Sequence, residues 1–163
     1  MDVRAVFGIS ILLSFVSSGV AASLIVWPWL RTMDRNRALA SLAAPHMFLR
    51  FIGLSFLVPG VVSPALPAAL AIPVAYGDLV AGILAIVATA ALVRRASLAL
   101  AATWLFNVWG AADFVFAYYQ GPRLQLQPGA LEAAFFIVTA IAPPLLVSHV
   151  LGLRLLLSRQ AAQ

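Results

Sequence analysis

Five long apolar runs, divided by short gaps holding arginine or proline, leave this chain very few folds to adopt. A helix of about 20 apolar residues crosses the hydrocarbon core of a bilayer. In that solvent each backbone N–H and C=O must find its partner within the structure, so only helices and closed barrels span it. The expected fold is therefore an all-α integral membrane protein, a bundle of five transmembrane helices. The spans are expected at about residues 5–30, 45–62, 68–93, 97–119 and 130–157 of a single transmembrane domain, 1–163.

Composition supports this reading. The chain is 64% hydrophobic and 9% charged, with a mean hydropathy of +1.05, whereas soluble domains carry about 25% charged residues. The first run resembles a secretory signal, with Arg4 before it and Val20-Ala21-Ala22 like a cleavage site. Its apolar character continues through Leu24-Ile25-Val26-Trp27, which favours a retained span ending at the interfacial anchors Trp27 and Trp29. Arg31 to Ala44 reads as a polar connection, and Pro45 suits the first position of the second helix. The Ser63-to-Pro67 turn ends that helix. Pro73 and Pro143-Pro144 predict kinks in spans three and five. Tyr118 and Tyr119 suit an interfacial belt at the end of span four, before a loop at residues 121–129. Glu132 reads as a favourable charge near the start of span five.

All ten basic residues are arginine, and the net charge is +5. They lie between apolar runs, which marks them as topology signals and contacts to lipid headgroups rather than nucleic-acid ligands. With five spans, one side collects Arg31, Arg35, Arg37, Arg94, Arg95, Arg154 and Arg159, while the other holds Arg4 and Arg123. The positive-inside rule then puts the N-terminus outside and the C-terminus in the cytoplasm, in a bacterial inner membrane. The absence of cysteine excludes disulfides, thiol chemistry and Cys-ligated metals. Two histidines are too few for a closed metal site, and neither haem nor another cofactor is expected.

Ionisable groups inside a membrane are costly and mark candidate sites. At about 1.5 Å per residue from the expected cytoplasmic helix ends, Arg50 lies roughly 7 Å deep, His149 12 Å, Asn107 15 Å, Asp78 22 Å and Asp113 24 Å. His46 falls at the cytoplasmic mouth as a solvated residue. Two polar layers are thus expected: His46, Arg50, His149 and Asn107 inward, Asp78 and Asp113 outward. His46 and Arg50 share one helical face, which Gly53 continues. Arg50 either snorkels to the headgroups or faces the bundle, where it binds an anionic head or pairs with a polar partner. Asp78, beside Tyr76 and Gly77 and near mid-membrane, must be protonated, paired or wet, and is the candidate acid. His149 is the candidate proton relay. Asn107 either orients a ligand or bonds a neighbouring helix. Trp109 lies one turn before Asp113 on nearly the same face. Ser10, Ser14, Ser18 and Ala22 form a small-residue packing stripe on span one.

His46-x-x-x-Arg50, Tyr76-Gly77-Asp78, Phe106-Asn107-x-x-Gly110-x-x-Asp113 and Leu146-Val147-Ser148-His149 together resemble a pattern found in small uncharacterised bacterial membrane proteins. The resemblance covers spans two to five and implies no activity. His46, Asp78, Asn107 and Trp109 also resemble the EXPERA-type sterol isomerase group, in which a small helical bundle encloses an apolar ligand beside acidic, His and Asn side chains. That likeness is an architectural analogy.

The leading expectation is a polar intramembrane pocket that binds or modifies a hydrophobic, lipid- or isoprenoid-like molecule. Asp78 and His149 would be its catalytic pair, with Arg50, Asn107, Asp113, Trp109, His46 and Tyr76 binding the ligand. The alternatives are a proton-coupled or small-solute transporter, and an accessory or assembly protein without chemistry of its own. Membrane lipids and the hydrophobic molecule are the expected partners, nucleic acid is not, and a homo-oligomer is compatible with each reading.

Overall fold

The computed structural model describes residues 2–158, so Arg159 lies outside the described residues. Five helices are long and apolar enough to cross a membrane: α1 Val3–Leu30, α2 Arg35–Leu57, α3 Ala68–Val93, α4 Ala99–Arg123 and α5 Ile137–Leu157. The order of the apolar runs is the order of the helices, and no β-strand occurs among the described residues.

The second helix begins ten residues before the expected Pro45. Asp34 caps it, accepting a hydrogen bond from the Arg37 backbone N–H at 3.2 Å. Ala38, Leu39, Leu42 and Ala43 then recur at helical spacing and are buried. The supposed polar connection is thus the amphipathic first third of α2, and Pro45 is carried inside it. The far end also differs. From Arg50 to Leu57 the helix tightens to 3-10 geometry, and it stops before the expected Val62. Three residues per turn place Arg50, Gly53 and Phe56 directly above one another, and these three are the buried residues of that segment.

α3 is central and packs against both α2 and α4. Its buried stripe is mostly Ala and Gly, which lets the neighbouring backbones approach closely. Pro73 lies within it, and the helix runs unbroken from Ala68 to Val93. α4 extends to Arg123, past the expected end at Tyr119. Tyr118 lies within α4 and turns to its neighbours: its hydroxyl donates to the Val138 carbonyl at 2.9 Å, and its ring meets Phe15.

Span five does not start at Ala130. Pro128–Ala134 forms a separate 3-10 segment, and the exposed Glu132 within it has φ of 45° rather than helical geometry. The kink expected at Pro143-Pro144 appears as a π-helical turn over Ile137–Ile141. A proline ring clashes with the carbonyl four residues back, and the widened turn relieves the clash. The same device precedes Pro28 in α1, where Ala22–Val26 is π-helical. α1 has no buried residue before Ala22; it packs on α5 with Ser10, Ser14 and Ser18 half-buried.

Candidate functional site

Arg50 organises the interior. It is 1% exposed, and every N–H of its guanidinium has an acceptor. Nη1 donates to Asp78 Oδ1 at 2.6 Å and to Asp113 Oδ2 at 2.7 Å. Nη2 donates to the Gly110 carbonyl at 2.7 Å and to His149 Nε2 at 3.0 Å. Nε reaches His46 Nδ1 at 3.4 Å. A guanidinium has five donors and no acceptor, so all five are used. Its flat face lies 3.6 Å from the centre of the Phe114 ring, a favourable cation–π geometry.

Because arginine only donates, both histidine nitrogens facing it must accept. That assigns each ring proton to the far nitrogen. His149 Nδ1 then donates to Asn107 Oδ1 at 3.3 Å, and Asn107 Nδ2 passes the chain to the Thr103 carbonyl at 2.9 Å. His46 Nε2 donates to Ser148 Oγ at 2.7 Å, and Ser148 donates to the Leu145 carbonyl at 2.7 Å. Both imidazoles are therefore neutral, and their rings pack 4.4 Å apart between centroids.

Glycines make this packing possible. A Cβ at Gly53 would overlap the Asp78 carboxylate, one at Gly77 the Asp113 carboxylate, one at Gly110 the His149 ring, and one at Gly152 the Asn107 amide. Each polar side chain reaches the core over a neighbouring helix with no side chain in its way.

The two expected polar layers are one. Counted from the observed ends at about 1.5 Å per residue, Arg50, Asp78 and Asp113 all lie roughly 21–23 Å from the arginine-rich end. The early start of α2 causes the difference. It also moves His46 from the mouth to full burial, 0% exposed, against His149. Arg50 does not snorkel. Trp109 is 43% exposed and donates to the Gly77 carbonyl at 3.2 Å, and Tyr76 is 54% exposed; both face outward. The network also takes in Ser148, Thr103 and Phe114, none of them among the candidate site residues read from sequence. Ser148 adjoins His149, so its nearness to the site was visible, while its partner was not.

Beyond the network lies a cavity of about 560 Å³. Asp78 and Asp113 border it, while Arg50, His46, His149 and Asn107 do not. Phe7, Phe56, Val74, Leu131 and Val138 are among its apolar walls, and the exposed Arg4, Gln125 and Gln127 line it too. Arg4 donates to Gln127 at 2.7 Å. The α4 residues on the wall run from Asp113 to Pro122, roughly 13 Å at the helical rise. Among the described residues no group of three or more His, Asp or Glu is placed to hold a metal ion.

Five apolar helices, each long enough to cross a membrane and four of them joined at a fully paired arginine, define an all-helical bundle. The chain belongs to the family described as domain of unknown function DUF8737, whose model matches residues 6–157. No curated protein matches it, and neither does any solved structure. The likeness to EXPERA-type proteins is not supported: of the four residues that carried it, Trp109 faces outward and the other three are bound into the Arg50 network.

Proposed function

We propose that the protein is a multi-pass bacterial inner-membrane protein whose cavity binds a hydrophobic, lipid- or isoprenoid-like small molecule. The observation that carries this reading is the cavity itself: about 560 Å³, within the roughly 300–1,000 Å³ usual for ligand sites, apolar along most of its walls, with Asp78 and Asp113 at one end and Arg4, Gln125 and Gln127 at the other. Asp78 and Asp113 are the groups that an occupant's polar end can meet. His149 has both ring nitrogens engaged and no wall of the cavity, which favours binding over chemical modification. The N-terminus is outside and the C-terminus cytoplasmic. Arg35 reaches the Leu156 carbonyl, Arg95 approaches Asp34, and Arg154 covers Trp27, all at one end of the bundle.

The test is native mass spectrometry of the protein extracted gently from its own membrane. A small apolar occupant should accompany the wild type and be lost from Ala117→Trp, which fills the cavity wall. An empty wild type, or an occupant retained by the variant, refutes the reading.

A second reading has its own observation. The Arg50 network engages Asp78, Asp113, His46, His149 and Asn107 in contacts between helices, as an accessory or assembly protein would use them. Retention of function by a joint Asp78/Asn107/His149 replacement would favour it.

A further inference from the structure

The charges at the inner end of the cavity do not balance while both carboxylates are ionised. Asp78 and Asp113 share one guanidinium, and the two histidines beside it are neutral by the direction of their hydrogen bonds. Arg4 keeps its charge at the other end of the cavity, where it donates to the neutral Gln127 amide, and Tyr118 donates to a carbonyl. Among the described residues no cation besides Arg50 adjoins the carboxylates. Asp78 is 6% exposed; Arg50 holds its Oδ1, while Oδ2 accepts no hydrogen bond among the described residues. The same is true of Asp113 Oδ1. The cavity therefore ends at two carboxylates whose unpaired oxygens lie over Gly53 and Gly77; apolar surroundings disfavour their surplus negative charge, which a retained proton or a bound cation offsets. Arg50 has no N–H left for an anionic head, and its position behind the carboxylates screens it from the cavity.

Resting on the reading of this cavity as a binding site, we propose that its occupant is an amine-headed amphiphile. The ammonium sits against Asp78 and Asp113, donates to the carboxylates in place of a retained proton, and leaves the two carboxylates and Arg50 neutral as a set. The apolar tail lies along α4 toward Pro122. A neutral alcohol of equal length supplies one donor and no charge. A carboxylate of equal length adds a second surplus charge.

The experiment compares dodecylamine, dodecanol and dodecanoate binding to the full-length protein in zwitterionic nanodiscs at neutral pH, with Ala117→Trp nanodiscs subtracted for partition into lipid. The amine should bind at least tenfold more tightly than the alcohol, and the fatty acid least. Asp113→Asn keeps the shape and removes the surplus charge, so it should cost the amine tenfold or more and leave the alcohol within about twofold. Alcohol binding as tight as amine in the wild type, or equal loss of both in Asp113→Asn, overturns the amine assignment and leaves the binding site standing. If no probe binds above the Ala117→Trp background, the binding-site reading falls with it. The wild-type comparison decides the matter even if Asp113→Asn does not fold.

Discussion

His46 and His149, 103 residues apart in sequence, hold their rings 4.4 Å apart and accept from the same guanidinium. Neither ring carries a charge, so Arg50 contacts two bases without meeting a second cation. The arrangement ties α2 to α5 at mid-depth, while the carboxylates tie α2 to α3 and α4. One side chain thus connects four of the five helices.

Removing that side chain should be severe. Arg50→Ala strands two buried carboxylates, and breaking a buried ion pair on one side costs about 3–5 kcal/mol. Arg50→Lys keeps the charge but has three donors where five acceptors wait, and should fall between the two. Thermal unfolding in detergent, followed by circular dichroism, gives the order wild type, lysine, alanine; a stability of Arg50→Ala equal to the wild type would contradict the network.

The glycine positions separate cleanly. Gly53→Ala and Gly110→Ala force a methyl into the Asp78 carboxylate and the His149 ring, and overpacking of this kind costs about 1–3 kcal/mol. Gly8→Ala and Gly19→Ala meet nothing within 4 Å and should be neutral or slightly stabilising in a helix. Melting temperatures of the four variants check the contrast.

Tyr118→Phe removes the hydrogen bond to Val138, in the π-helical turn ahead of the paired prolines. The expected loss is about 0.5–1.5 kcal/mol. Faster amide exchange confined to the start of α5, rather than spread over the bundle, would mark the effect as local.

Orientation is open to direct measurement because the chain has no cysteine. Ser97→Cys, between α3 and α4, should react with a membrane-impermeant maleimide only after cells are opened. Ala65→Cys, between α2 and α3, should react in intact cells. Both positions are exposed. The reverse pattern would invert the topology.

The helix count was legible because apolar length is a strong signal. The start of α2 was not read, because Arg35, Asn36 and Arg37 suggest a loop, although Asp34 as a cap and the Ala38, Leu39, Leu42, Ala43 spacing were present. That one displacement separated Arg50 from Asp78 and Asp113 in depth and left His46 in solvent. The residues of the site were visible singly, since charge inside apolar runs is conspicuous. Their assembly was not, because it depends on which glycine lets which side chain through, and several glycines look alike in sequence.

The position of Arg50 on the second helix also bears on how the protein is made. Synthesis delivers Arg50 before Asp78, and Asp78 before Asp113, so the guanidinium would enter a bilayer with neither carboxylate present. The ten residues between Leu57 and Ala68 let α2 and α3 insert as one hairpin, with Asp78 neutralising the arginine on arrival. α1, whose packing partner is α5, would wait in lipid until that helix is made.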